Sequence, residues 1–222
     1  MKKTFKKLLA VVLAVMMLAT VLPVALAAEN IASGTAGENV TWVIDSEGTL
    51  TISGSGKIVV GWHDPPWKAY NDSILRVVVE NGITEITSTV FYDANYCTSV
   101  SIPASVEHIA GYAFPSAESI EEFIVDGNNS FYKSIDGIIF SKDEKVIVAF
   151  PQNKDLTEYI IPDSVETIGD YAFYSNNNLK KITVPDSVTA VKNAAFEYSR
   201  IEEFSGGKNV REYREMLKRY GY

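Results

Sequence analysis

Cys97 is the only cysteine of the chain, and His108 is the tempting basic partner for it. A cysteine nucleophile acts as the thiolate, which forms at neutral pH only beside a base or a positive potential. His108, however, matches Glu85, Thr167 and Ala190 in a repeating pattern, at a position flanked by apolar residues and turned to solvent. Cys97 stands where other units carry Ile or Leu, so it reads as a buried, inert thiol. His63 and Asp64 are adjacent, but no H-E-x-x-H or comparable ligand spacing occurs. Asp126-Gly127-Asn128-Asn129 begins like a calcium loop and lacks the later ligands and the closing Glu; it reads as a plain turn. Ser53-Gly54-Ser55-Gly56 is a glycine-rich turn without a phosphate-loop pattern. The acids are spread along the chain, so no glycosidase-like carboxylate pair is nominated. Trp62 and Trp67 carry rings that would stack on sugars if exposed, but the apolar area of each favours a plug against a core. No catalytic set, cofactor site or metal site emerges, and the expected class is a non-enzyme.

These residues must be held by a repeat. Units beginning at Ile74, Cys97, Ile120, Leu156, Leu179 and Ile201 are spaced 23, 23, 36, 23 and 22 residues apart. The fourth position is Val77, Val100, Phe123, Tyr159, Ile182 and Phe204, and the sixth is Val79, Ile102, Val125, Ile161 and Val184. In the four regular units the tenth and thirteenth positions are also apolar, and the eighteenth is Phe91, Phe114, Phe173 and Phe196. Alternation at positions four and six is the period of a strand with one buried face. Pro103, Pro162 and Pro185 then end the strand. The Tyr171-Ala172-Phe173 stretch is expected to form a short helical or turn return. One unit buries too few apolar side chains to offset its own chain entropy, so units must stack into a solenoid.

The pattern Leu156-x-x-Tyr159-x-Ile161-Pro162-Asp163-Ser164-Val165-x-x-Ile168-Gly169-Asp170-Tyr171-Ala172-Phe173 resembles the BspA-like family of bacterial leucine-rich repeats. The likeness covers residues 74–204, and residues 33–42 are similar to the opening of secreted members from gut Firmicutes. The resemblance implies a solenoid and a role in attachment to host matrix or to other cells. Family repeats often carry Cys or Asn three residues after the Phe. Ala94, Ala117, Asn176 and Ser199 stand there in this chain, so a side-chain hydrogen-bond ladder at that turn should be weak or absent.

The ends and the charge narrow the setting. Residues 1–27 combine four lysines, an apolar run and the Ala25-Leu26-Ala27 site, and are expected to be a secretory signal peptide cleaved before Ala28. Cleavage leaves 16 basic residues against 28 acidic ones, a net charge of −12. Such a surface repels nucleic acid and anionic lipid. The expected product is secreted and extracellular, with no membrane association after cleavage. Residues 28–73 are expected to form an N-terminal β-hairpin cap, through residues 40–45 and 49–53, with Trp62 and Trp67 plugging the first repeat. Residues 74–204 are the repeats, with an insertion at about 127–154 expected to be a second hairpin. Residues 205–222 are expected to hold a capping helix over 209–220.

The expected fold is therefore a leucine-rich-repeat solenoid with a parallel β-sheet of about six strands, about 24 Å wide. Two columns should face outward: Arg76, Ser99, Glu122, Glu158, Lys181 and Glu203, and beside them Val78, Ser101, Ile124, Ile160, Thr183 and Ser205. Ile124 and Ile160 are apolar where solvent is expected and mark a contact patch. The leading expectation is recognition or adhesion, with an extracellular protein or glycan bound on this face. A self-associating matrix component and a secreted hydrolase of wall or glycan are the alternatives. The oligomeric state is not legible.

Overall fold

The computed structural model describes residues 28–207 and Glu215. The expected signal peptide and the expected helix over 209–220, Glu215 apart, lie outside the described residues. The chain begins with three antiparallel strands, β1 (Asn30–Thr35), β2 (Val40–Asp45) and β3 (Thr49–Gly54), followed by the short β4 (Gly56–Lys57). A 3-10 turn at Lys68–Ser73 leads into the repeats.

Each regular repeat contributes two strands. The first pair is β5 (Arg76–Val79) with β6 (Ile83–Ile86), and the second is β7 (Ser99–Ile102) with β8 (His108–Ile109). The third unit supplies β9 (Glu122–Val125) and then the insertion strands β10 (Tyr132–Ile135), β11 (Ile138–Ser141) and β12 (Val146–Ala149). The later units give β13 (Glu158–Ile160) with β14 (Thr167–Ile168), β15 (Lys181–Thr183) with β16 (Ala190–Val191), and β17 (Glu203–Ser205). Strands of like position pair in parallel, Val77 opposite Val100 and Ile182 opposite Phe204. Parallel ladders on another side pair Ile86 with Ile109 in the sheet β4-β6-β8 and Ile168 with Val191 in the separate sheet β10-β11-β12-β14-β16. The fold is thus a leucine-rich-repeat solenoid with parallel sheets on two sides, because positions ten to thirteen form strands as well.

The returns are extended turns, not the short helices allowed for in the sequence reading. Their amides bond the next turn: Phe91 N donates to Ala113 O at 3.0 Å, Phe150 N to Ala172 O at 2.7 Å, and Phe173 N to Ala195 O at 2.7 Å. An amide committed to the neighbouring turn is not available for a helix. Left-handed residues bracket the phenylalanine, Tyr171 at φ 56° and Ser175 at φ 52° around Phe173, and Ala194 at φ 50° and Tyr198 at φ 57° around Phe196. Isolated left-handed residues turn the chain sharply and stop helix propagation. The phenylalanines stack in line, Phe91 on Phe114 at 5.4 Å and Phe150, Phe173 and Phe196 at 4.9 and 5.2 Å. Phe150 occupies this column although the insertion hides its register in the sequence.

The expected single six-stranded sheet is divided by the insertion. One sheet runs β1-β2-β3-β5-β7-β9, and another holds only β13-β15-β17. The bend at Asp136-Gly137 takes the place of the next parallel strand, with Phe123 N donating to Gly137 O at 2.9 Å. Gly137 sits at φ 77°, where a Cβ would meet the Glu122 Cβ at 2.8 Å, so only glycine fits. The insertion is a three-stranded meander, one strand more than the hairpin expected, and β12 joins β14 in parallel. Strand alternation on β11 sends Ile139 into one core and Ile138 with Phe140 into a second. That strand is the partition between the two halves.

The insertion is fastened by Asn129, which is fully buried. Its Nδ2 donates to Pro103 O at 2.8 Å and Val106 O at 2.9 Å, and its Oδ1 accepts from the amides of Phe131 and Tyr132 at 2.8 Å each. Asn129→Ala removes all four bonds, leaving Val106 O without this donor and the half-buried Phe131 and Tyr132 amides without their acceptor, and should lower unfolding free energy by roughly 2–4 kcal/mol. The exposed neighbour Asn128→Ala should cost less than about 1 kcal/mol. Urea midpoints of the two variants check this, and equal losses would contradict the fastening role.

Candidate functional site

The outward columns of the repeat sheet stand in two blocks. Arg76, Ser99 and Glu122 are in direct register, as are Val78, Ser101 and Ile124. Glu158, Lys181 and Glu203 form the second block with Ile160, Thr183 and Ser205. No strand pairing joins β9 to β13 among the described residues. The outward columns therefore form two half-faces, with Ile124 and Ile160 on the edge strands either side of the break. The reason is local: the Asp136-Gly137 bend uses the β9 amides that β13 would have taken.

Both isoleucines are exposed, Ile124 at 47% and Ile160 at 73%. Around them the charges are partly neutralised. Arg76 reaches Glu47 at 3.3 Å and donates to Thr49 Oγ1 at 2.8 Å, and Lys181 lies 3.5 Å from Glu203. Thr183 and Ser205 share a hydrogen bond at 2.9 Å. Solvent screens such exposed pairs, so they orient side chains more than they stabilise.

The candidates for chemistry are kept apart. Cys97 is buried, and its thiol donates to Ser99 O at 3.3 Å. Burial pushes the thiol up from 9.0 to about 12, against the weaker opposing effect of hydrogen bonds to Ser99 and Val77. His108 is exposed on β8, in a different sheet from the strand that follows Cys97. Asp126 and Asn128 form a plain turn, with Asn128 N on Asp126 Oδ1 at 2.8 Å. Among the described residues no group of three or more His, Cys, Asp or Glu could hold a metal ion. At the turn after the phenylalanine, Asn176 Nδ2 donates to Pro151 O at 3.0 Å, Gln152 Nε2 to Phe114 O at 2.8 Å and Asn71 Nδ2 to Tyr92 O at 3.1 Å, while Ser199 Oγ is buried without a partner.

The tryptophans part company. Trp67 is fully buried, edge-on to Trp42 at 6.0 Å and 6.5 Å from Phe91. Trp62 is 70% exposed. It opens a row of rings along the return edge that sequence reading missed. Trp62 stacks on His63 at 4.9 Å, and His63 on Tyr92 at 4.1 Å. Tyr112 lies 5.9 Å from Trp62 and 4.6 Å from Tyr171. Tyr174 follows at 5.5 Å, and Tyr198 at 5.3 Å beyond it. The available signal was tyrosine at the sixteenth position (Tyr112, Tyr171) and the nineteenth (Tyr92, Tyr174), overshadowed by the inward phenylalanine between them. At Gly111 a Cβ would meet the Asp170 Cβ at 2.6 Å, so glycine lets the second and fourth units close directly on one another here. The aromatic edge is continuous where the repeat sheet is broken.

Comparisons with known proteins agree with this architecture. A family model described as BspA type leucine rich repeat region matches residues 69–150 and 147–217, in six copies. Among solved structures, the pneumococcal vaccine antigen PcpA is similar at 15% identity and a TM-score of 0.50, covering 81% of this chain and 71% of that one. A leucine-rich repeat protein from Eubacterium ventriosum has 23% identity and a TM-score of 0.39, covering 79% and 68%. A leucine rich cell surface protein from Faecalibacterium prausnitzii has 13% identity and a TM-score of 0.47, covering 78% and 76%. No curated protein gives a significant match. No helix among the described residues is long and apolar enough to cross a membrane.

Burial of two weak acids makes the fold sensitive to alkaline pH. The Cys97 thiol is raised to about 12, and burial raises the Tyr159 phenol from 10.0 to about 12. Both pKa values are higher folded than unfolded, so their contribution is complete below pH 9 and is lost as pH rises from 9 through 12. Thermal midpoints should fall across that window, and the thiol should react with a chromogenic disulfide only after unfolding. A flat midpoint, or rapid reaction of the folded protein, would contradict the burial.

Proposed function

The chain belongs to the BspA-type leucine-rich-repeat family, and on that premise we propose that it is a secreted, non-enzymatic recognition or adhesion protein. It binds an extracellular protein or glycan on the outward face of the repeat sheet. The observation that carries this reading is the exposure of Ile124 and Ile160 on strands where the repeat calls for polar residues. Exposed aliphatic side chains lose water only when a partner covers them, and that loss is the driving force for association. Glu122 and Glu158 stand on the same strands, two residues before each isoleucine, and favour a partner with basic groups around an apolar centre. The face is small and suits one interface of about 800 Å² per partner or less.

The basic, then apolar leader with its small-residue site supports export. The same reading gives strands β1–β3 and the helix expected over 209–220 the role of end covers, which every solenoid needs to protect its terminal edges. Attachment to host matrix or to other cells is the family analogy, and it enters as analogy.

A panel of matrix proteins, mucins and bacterial wall glycans, immobilised and probed with the purified protein, tests the proposal. Saturable binding is expected, weakened about tenfold or more by Ile124→Lys or Ile160→Lys, which is ~1.4 kcal/mol or more each. Stability should change by less than about 0.5 kcal/mol, because both side chains are at the surface. Binding that survives both changes would move the contact off this face. Concentration-dependent self-association without any ligand would favour the matrix role, and turnover of a polysaccharide would favour a hydrolase.

A further inference from the structure

The return edge carries an aromatic row that the solenoid's cores do not use. Tyr92, Tyr112, Tyr171 and Tyr174 belong to neither buried cluster. The row includes the two most exposed rings of the set, Trp62 at 70% and Tyr198 at 57%. Burying such rings is worth more than burying an aliphatic chain of similar length, and leaving them in water forgoes that gain. A row kept at the surface through successive turns therefore has a surface role.

We propose that this edge is a binding strip for an uncharged polysaccharide chain, whose sugar rings lie along the aromatic row. The apolar C–H face of a pyranose matches the face of an aromatic ring, and its hydroxyls need polar partners at the rim. The rim supplies them: the Tyr112 and Tyr174 hydroxyls lie 3.4 Å apart, and Asn193 Nδ2 donates to the Tyr171 hydroxyl at 3.3 Å. Successive ring centroids from Trp62 through Tyr112, Tyr171 and Tyr174 to Tyr198 are 4.6–5.9 Å apart. That spacing is comparable to the advance of one sugar unit in an extended glycan.

Charge selects among glycans. Asp170 and Glu197 act electrostatically on Tyr171, and Glu197 on Tyr174 as well. Lys68, the cation at the opposite end, lies 6.0 Å from the Tyr92 ring and is paired with Asp64. A uronic-acid or sulfated chain would meet net repulsion along such a strip. The strip lies on the return edge and not on the repeat sheet, so this inference is independent of the sheet-face reading.

Affinity electrophoresis of the purified protein tests it, in gels containing mixed-linkage β-glucan, galactomannan, hydroxyethylcellulose or starch, with alginate and heparin as acidic controls. At least one uncharged polymer should retard the protein, and neither acidic polymer should. The Trp62→Ala/Tyr198→Ala double variant should lose about tenfold or more in affinity, the effect of removing two stacking rings. Its melting midpoint should stay near that of the parent, because both rings are at the surface. Trp42 is 4% exposed and Trp67 fully buried, so iodide quenching of fluorescence reports Trp62. The bound polymer should protect it. Ile124→Lys should retain full glycan binding, which separates failure here from failure of the sheet-face proposal. Absence of retardation by every uncharged polymer, or equal retardation of the double variant, would overturn the inference and leave the row as a fastening between the two halves.

Discussion

Each turn of this protein is completed by the next one. The amides and carbonyls on three sides of a turn point along the solenoid axis, and a buried backbone group without a partner costs about as much as a lost hydrogen bond. Parallel pairing in the first sheet, in the second sheet and across the returns satisfies them in one direction, turn after turn. The same stacking aligns Phe91 with Phe114, and Phe150 with Phe173 and Phe196. Backbone bonds set the register and ring packing fills the interior, and neither is available to a lone unit. The left-handed residues of the returns are tolerated because bonds on both sides hold them there.

The insertion shows how strict that constraint is. It interrupts both ladders and replaces part of what they lose. Its bend bonds β9 in place of the missing neighbour, its last strand starts the second-side ladder of the later units, and Asn129 satisfies the backbone of the preceding unit. The consequence is a division of the repeat sheet and of the interior, with Ile138 and Ile139 facing opposite cores. Function inherits the division. The outward face becomes two half-faces with an exposed isoleucine at each edge, while the return edge closes over the gap through Gly111, Tyr112 and Tyr171. One insertion thus produces a broken apolar face and an unbroken aromatic one.

Much of this was legible in the residues. The spacing of Val77, Val100, Ile182 and their equivalents located the first strands, and the prolines located their ends. The buried state of Cys97 and Trp67 followed from their positions and size. Three things were not legible, each for a physical reason. The second sheet was hidden because Ile83 and Ile86 are three apart, which reads as a turn or helix unless a neighbouring turn takes the amides. The division of the sheet depends on where the 136–137 bend lands, a long-range contact that no local pattern encodes. The aromatic row was hidden because its tyrosines alternate between the sixteenth and nineteenth positions and converge only when the returns stack.

Amide hydrogen exchange across the purified protein, resolved to the return segments, tests the dependence of each turn on the next. Thr89, Phe91, Tyr171 and Phe173 donate their amides to Tyr112, Ala113, Asn193 and Ala195 respectively. The expected result is slow exchange at these four positions, comparable to that of the strand amides in the same units. Exchange near unprotected rates in the returns, with the strands still protected, would mean that turns are joined through their sheets alone, and the stacked return edge with its aromatic row would fall with that result.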